Sequence, residues 1–487
     1  MNNINKKINN ATKWSIFTEI IVKIISPITN LILARLLAPE AFGVVATVTM
    51  ITSFSDLFTD AGFSKFLIQR KFNNQNEQDE YTCVAFWSNL IISIIIWLII
   101  SIFADKIAIL VGNDGLGNVI RIASFILVFT SFSSIQTAVF RKNFNFKILS
   151  FTKITSKLIP FVVTIPLALL GYSYWALIIG NLVGELVNAI ILTTLSVWKP
   201  KFKYELSKLK DMITFCGWNF MEVISGWLVS NIGIFIIGIG FSSYYLGIYK
   251  GAITTIGQIV SIISASTINV LFTSLSTLQD SEEEYNKVIL KFQKIAGFFS
   301  IPLGVGIFIF REFITFILLG NQWIEASFLV GLWGFIIAES IIFADFGATI
   351  ILSKGKPKLL FISNAIQIMI LVPVLLWCLN KSFSTLVVMI CLVRIQLPLM
   401  QLFWIRIISG IKLVEIYNNI KGFILCAIIM GLAATFMKGL NNSIICNCIY
   451  IVISLLLYII LNLLIPENFK IIKNFYCELR NKKLNTI

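Results

Sequence analysis

Apolar stretches long enough to cross a membrane recur along almost the whole chain, from residue 14 to residue 465. A helix needs about 20 predominantly apolar residues to span the hydrocarbon core of a bilayer. Of the 487 residues, 57% are hydrophobic and only 13% are charged. The pattern predicts an all-α integral membrane protein with little chain left for a soluble domain.

The hydropathy pattern predicts about fourteen transmembrane helices, each bounded by short polar or Gly/Pro-containing loops. The predicted spans are 14–37, 41–68, 81–110, 117–140, 148–170, 173–197, 211–238, 243–277, 288–319, 325–352, 358–379, 383–408, 418–438 and 443–465.

Lys and Arg residues concentrate on one side of this predicted topology. With the N-terminus in the cytoplasm, roughly 30 of the 39 basic residues fall inside. The outside loops between spans hold only Lys106, Arg121, Lys381 and Lys438. The positive-inside rule therefore places both termini in the cytoplasm, and we expect a multi-pass protein of the bacterial inner (cytoplasmic) membrane. The formal net charge of +15 then reflects topology, and no nucleic-acid partner is expected.

The first and seventh predicted helices begin similar segments. A gapless alignment places Trp14 on Trp218 and Phe42-Gly43-Val44 on Leu246-Gly247-Ile248. Six spans separate the starts of the two copies, so both copies begin on the same side of the membrane and the repeats are parallel. Parallel repeats predict two six-helix lobes that face each other across a cleft. The predicted divisions are an N-terminal tail (1–13), an N-lobe (14–197), a basic linker (198–210), a C-lobe (211–408), a C-terminal helix pair (409–465) and a basic tail (466–487).

Ionisable residues within a membrane are costly, so each one retained there is a candidate site residue. Helix 1 carries Glu19 and Lys23 four residues apart, with Asn30 on the same face, although the charged pair could simply neutralise itself. Helix 2 carries Asp56 and Asp60, a paired-carboxylate face suited to a cation or proton. Asp60 lies near a helix end, where a solvated carboxylate is the simpler interpretation.

The predicted second lobe supplies a longer polar stripe. Lys250, Thr254 and Gln258 recur at helical spacing on helix 8, which indicates either a cavity wall or helix–helix hydrogen bonding. Embedded basic side chains could meet an anionic group. The substrate-cleft candidates are Lys23, Asn30, Arg35, Lys250, Thr254, Gln258 and Arg394. The ion-coupling candidates are Glu19, Asp56, Asp60 and Glu222. Glu185, Glu339 and Asp345 are embedded acids without an obvious partner in the sequence.

Catalytic and metal-binding signals are weak. The chain has no histidine, its eight cysteines are scattered without a C-x-x-C pair, and no G-x-x-x-x-G-K-[ST] loop is present. We therefore expect no enzymatic activity, no metal and no bound cofactor. The expected energy source is a Na⁺ or H⁺ gradient, the gradient of the substrate, or its removal downstream.

Four segments resemble a known family. They are LILARLLAPEAFGVVATVTMITSFSDLFTDAGFSKFLIQR (31–70), FRKNFNFKIL (140–149), GYSYWALIIGNLVGEL (171–186) and Leu246-Gly247-Ile248-Tyr249. They are similar to the Wzx-type polysaccharide flippases, in the colanic-acid-exporter-like branch of the MATE and flippase superfamily. The resemblance implies a V-shaped protein of fourteen helices whose cleft is lined chiefly by helices 1, 2, 7 and 8.

The same resemblance implies a function. Family members move an undecaprenyl-diphosphate-linked oligosaccharide from the inner to the outer leaflet by alternating access, for surface polysaccharide biosynthesis. The implied partners are this substrate and the bilayer, with polysaccharide polymerase and chain-length machinery downstream. Two alternatives within the superfamily stay open, a multidrug or cation antiporter and a lipid II flippase. A polymerase or ligase is disfavoured, because no outside loop is long enough to hold its catalytic residues.

Overall fold

The computed structural model describes residues 2–468, apart from 61, 71, 144, 197, 279–280, 442 and 467. The described residues form helices and connecting turns. Ten helical segments among them are long and apolar enough to cross a membrane. The all-α membrane fold is therefore confirmed, while the count of fourteen spans stays a prediction.

The chain divides into two compact units. The first comprises residues 1–251 and 375–383, and the second comprises residues 252–374 and 384–487. The first unit contains α1 (Asn2–Leu36), α2 (Pro39–Asp60), α3 (Phe63–Gln69), α4 (Gln75–Leu110), α5 (Gly117–Ala123), α6 (Ile126–Lys142), α7 (Phe146–Leu169), α8 (Ser173–Leu195), α9 (Leu206–Gly240) and the start of α10 (Ser243–Thr277).

Small residues let the helices of the first unit approach closely. In the α7–α8 hairpin, Gly180 lies against the Thr164 side chain and Gly184 lies against Pro160. Gly171 makes the turn between the two helices with a φ of 86°, a left-handed conformation that glycine adopts without strain. Close backbone approach is the usual basis of helix association in membranes, where burial of apolar surface gives little driving force.

The basic linker is attached to α4. The Trp87 indole N–H donates to the carbonyl oxygen of Lys201 at 2.8 Å, and its ring stacks on Phe202 with centroids 4.7 Å apart. At the start of α9, the Lys208 ammonium donates to Glu80 on α4 and pairs with Glu205. Burial alone would lower the pKa of Lys208, but the two carboxylates outweigh it and raise that pKa above its ordinary value.

The second unit contains the rest of α10, α11 (Glu282–Ile309), α12 (Arg311–Leu318), α13 (Ser327–Ser340), α14 (Phe346–Ser353), most of α15 (Pro357–Cys378), α16 (Phe383–Arg394), α17 (Gln396–Ser409), α18 (Leu413–Leu440) and α19 (Ile444–Leu464). A 3₁₀ segment, Asn321–Ala326, precedes α13, and a π-helical segment, Ile341–Asp345, joins α13 to α14.

The core of the second unit forms around α11. Gly304 on α11 lies against Ala338 of α13, and the Ile307 side chain of α11 packs against Gly334 of α13. On another side of α11, Phe298 contacts the rings of Phe423 on α18 and Tyr458 on α19. The α11 helix is therefore the central helix of this unit.

Candidate functional site

Asp56 and its neighbours on α2 face other helices of the first unit. The Thr130 hydroxyl on α6 donates to the Asp56 carboxylate at 3.2 Å. Three residues earlier on α2, the Ser53 hydroxyl accepts a 3.0 Å hydrogen bond from the indole N–H of Trp227 on α9. Ser53 and Asp56 thus have partners from two further helices, and Asp56 is half-buried.

The beginnings of α2 and α10 meet through their backbones. A Cβ atom built on Gly43 would lie 2.8 Å from the carbonyl carbon of Ser243 and 3.0 Å from the nitrogen of Gly247. A Cβ built on Gly247 would lie 3.0 Å from the nitrogen of Gly43 and would clash with the carbonyl of Pro39. The gapless alignment that pairs Gly43 with Gly247 also pairs Pro39 with Ser243. The contact is therefore reciprocal, as expected if the predicted parallel repeats are related by a local two-fold axis.

A buried hydrogen-bond network flanks this glycine contact. The Asn113 amide nitrogen donates to the Thr47 hydroxyl on α2 at 3.2 Å. The Asn113 amide oxygen accepts from the Ser243 hydroxyl on α10 at 2.5 Å. One asparagine after α4 thereby joins α2 to α10, and nothing in the local sequence pattern indicates it.

Arg394, a predicted substrate contact, lies in a cavity of about 370 Å³ in the second unit. Its guanidinium carbon lies 5.0 Å from the centre of the Trp333 ring, a cation–π distance. Asp345 lines the same cavity, together with Ser340 and Ser261. The structure thus gives Asp345 a basic neighbour that the sequence spacing did not reveal.

The remaining substrate candidates are distributed along α1 and α10. Lys23 and Asn30 are half-buried on α1, whereas Arg35 in its last turn is exposed. On α10, the side chains of Lys250, Thr254 and Gln258 are half-buried. The side chains of the ion-coupling candidates Glu19, Asp60 and Glu222 lie outside the described residues.

Sequence reasoning missed two tryptophans of these sites, Trp227 and Trp333. Each lies in a predominantly apolar helix, where an indole is expected to contribute mainly to packing. A signal was nevertheless present, because an indole N–H within a bilayer needs an acceptor and so points to a polar neighbour. Groups of three or more Cys, Asp or Glu side chains placed to hold a metal ion are absent from the part of the chain that the structure describes.

Comparison with known proteins identifies the family. The family model described as "Polysaccharide biosynthesis protein" matches residues 32–328. The chain belongs to this family. The match confirms the resemblance drawn from the sequence motifs.

Two curated relatives and one solved structure are similar to this chain. The succinoglycan biosynthesis transport protein ExoT of Rhizobium meliloti is 24% identical over 67% of this chain and 65% of the relative. The lipopolysaccharide biosynthesis protein WzxC of Escherichia coli is 22% identical over 66% of this chain and 65% of the relative. A structure of the lipid II flippase MurJ, in an inward closed conformation, superposes with a TM-score of 0.75 at 14% identity, covering 93% of this chain and 98% of MurJ. The chain is a multi-pass bacterial membrane protein with a transporter fold.

Proposed function

We propose that this protein translocates an undecaprenyl-diphosphate-linked oligosaccharide from the cytoplasmic to the outer leaflet, for surface polysaccharide biosynthesis. The observation that carries the proposal is the family match across residues 32–328 on a transporter fold. Relatives of this chain carry names from succinoglycan and lipopolysaccharide biosynthesis. A lipid-linked repeat unit is a precursor common to such polymers.

The chemistry of the embedded side chains supports this substrate. Lys23 and Lys250 are half-buried cations within apolar helices. A diphosphate offers such cations charge-assisted hydrogen bonds, which are about twice as strong as neutral ones. Thr254 and Gln258, four and eight residues after Lys250, add groups that both donate to and accept from sugar hydroxyls.

Alternating access is the proposed mechanism. The predicted parallel repeats support it, because two halves related by an axis along the membrane normal can rock against each other around a central site. A Na⁺ or H⁺ gradient is the proposed energy source, and Asp56 is a proposed carrier because its carboxylate is half-buried and hydrogen-bonded. The proposal includes cytoplasmic termini and transfer of the product to the polymerase machinery.

The test is to deplete the protein in its host and measure which leaflet holds the lipid-linked oligosaccharide. A membrane-impermeant glycan-modifying enzyme, added to intact spheroplasts, reports the outer leaflet. We expect cytoplasmic-leaflet accumulation that wild type relieves and that Lys23→Ala plus Lys250→Ala does not. The charge-matched control is Lys412→Ala plus Lys421→Ala, because these two lysines are exposed. Normal outer-leaflet exposure after depletion, with no redundant flippase present, would contradict the proposal and favour a drug-cation antiporter.

A further inference from the structure

The cavity beside Arg394 combines opposite charges, hydroxyl groups and apolar walls. Its volume of about 370 Å³ is at the lower end of the range for small-molecule sites, which is about 300–1,000 Å³. Apolar parts of the wall come from side chains such as Ile337, Ala344 and Leu397. A cavity of this size and composition suits a small polar ligand with an apolar face.

The Arg394 guanidinium is supported by an aromatic ring of the cavity wall. Trp333 is 4% exposed and supports the Arg394 guanidinium on its ring face. The Trp333 indole nitrogen, although buried, has no hydrogen-bond partner among the described residues. That nitrogen is closed off from the cavity, so Trp333 contributes to the wall through its ring, which contacts Arg394.

The π-helical segment explains how Asp345 joins this wall. In a regular α-helix, twelve residues rotate a side chain about 120° away from its starting face, so Asp345 would point away from Trp333. The π-helical segment Ile341–Asp345 inserts one extra residue into the turn. The rotation between the two residues falls to about 20°, and both line the cavity.

The charge balance of the cavity decides among ligand classes. Arg394 and Asp345 line it without forming an ion pair in the described structure, so both keep hydrogen-bonding capacity for a ligand. Asp345 disfavours a phosphate and Arg394 disfavours a simple cation. A neutral ligand rich in hydroxyls suits both, because a hydroxyl donates to a carboxylate and accepts from a guanidinium.

We propose that this cavity is a saccharide subsite that binds a neutral sugar residue of the transported oligosaccharide. Arg394 and Asp345 bind its hydroxyls, with a further hydrogen bond from Ser340. The identity of the sugar as part of a transported substrate rests on the proposed function. The proposal gives the basic residues two different roles. Arg394 binds the sugar, whereas Lys23 and Lys250 bind the diphosphate.

The test measures binding to the full-length protein in nanodiscs by isothermal titration calorimetry. One probe is the oligosaccharide released by mild acid from the undecaprenyl-linked pool of the host, and the other is undecaprenyl diphosphate without sugar. The variants are Asp345→Asn and Arg394→Gln. Their matched controls are Glu325→Gln and Arg406→Gln, because these side chains are exposed. Ser340→Ala, which keeps both charges, tests the subsite with little risk to folding.

Each charge variant is expected to weaken oligosaccharide binding by about tenfold or more, and Ser340→Ala by about threefold, with undecaprenyl diphosphate binding unchanged. Unchanged oligosaccharide affinity in all three variants, or a wild-type protein that does not bind the released oligosaccharide, would overturn the subsite. Loss of undecaprenyl diphosphate binding in Arg394→Gln would overturn it in favour of an anion site. If the leaflet assay detects no flipping by the wild-type protein, but the variants still bind the oligosaccharide less tightly than wild type, the proposed function is refuted and the subsite is supported.

Discussion

Replacing Gly43 with alanine should disrupt the contact between α2 and α10. The new Cβ would lie 2.8 Å from the carbonyl carbon of Ser243 and 3.0 Å from the nitrogen of Gly247. The oxygen of that carbonyl would lie closer still, and carbon atoms pack at about 3.5–4.0 Å, so the two helices would have to move apart by about 1 Å or more. The atoms in the way belong to the backbone, so a rotamer change cannot relieve the clash. Overpacking of this kind costs about 1–3 kcal/mol.

The matched control is Gly226→Ala, in the same unit, where an added Cβ has nothing within 4 Å. Both substitutions gain the helix-propensity advantage of alanine, about 0.5–1 kcal/mol. Gly43→Ala should therefore be less stable than Gly226→Ala by about 1–3 kcal/mol.

The assay is thermal unfolding of the purified variants in detergent, with flippase complementation alongside. In the Gly43→Ala background, Gly247→Ala should lower the free energy of unfolding by less than it does in the wild-type protein. The reason is that Gly43→Ala has already separated the helices. Equal melting temperatures for Gly43→Ala and Gly226→Ala would refute the backbone contact, and additive losses in the double variant would refute its reciprocity.

Three further predictions concern hydrogen bonds and charge. Trp227→Phe keeps an aromatic ring but removes the indole N–H that donates to Ser53 at 3.0 Å. The free energy of unfolding, measured by thermal unfolding, should therefore fall by about 0.5–1.5 kcal/mol. Tyr285→Phe removes a fully buried hydroxyl hydrogen bond of 2.7 Å and should cost a similar amount, and an unchanged melting temperature would contradict this. The folded-state pKa of Lys208 is raised, so its stabilisation is fully present below the unfolded pKa of about 10.4 and declines as pH rises through the folded pKa. Above a pH of about 10.4, the melting temperature should therefore fall more steeply for wild type than for Lys208→Met or Glu80→Gln. Parallel pH profiles for the three proteins would contradict this stabilisation by Lys208.

The fold class followed from the sequence because a bilayer leaves few choices. An apolar segment of about 20 residues must form a helix to satisfy its backbone, so hydropathy alone predicts helices close to those observed. The predicted span 173–197, for example, corresponds to α8 (Ser173–Leu195), and 383–408 corresponds to α16 and α17. The family was also readable, because its motifs lie in contiguous segments of the chain.

The sites were predicted less completely, because they depend on which helix faces which. Arg394 and Asp345 are 49 positions apart in the sequence, and spacing cannot bring them together. Regular helical periodicity even places Asp345 on the wrong face relative to Trp333, since the π-helical segment is not visible as a residue pattern. Ser53 and Asp56 are neighbours on one helix, yet their partners Trp227 and Thr130 come from two other helices that no local pattern identifies.

The sequence by itself determined the membrane class, the helical segments and the family, because each depends on local composition or on contiguous motifs. Only the tertiary structure decided that Gly43 and Gly247 meet backbone to backbone, that Asn113 joins Thr47 to Ser243, and that Arg394 shares a cavity with Asp345. The physical reason is that helix pairing in lipid depends on close packing and on a few hydrogen bonds, both of which join residues far apart in the chain.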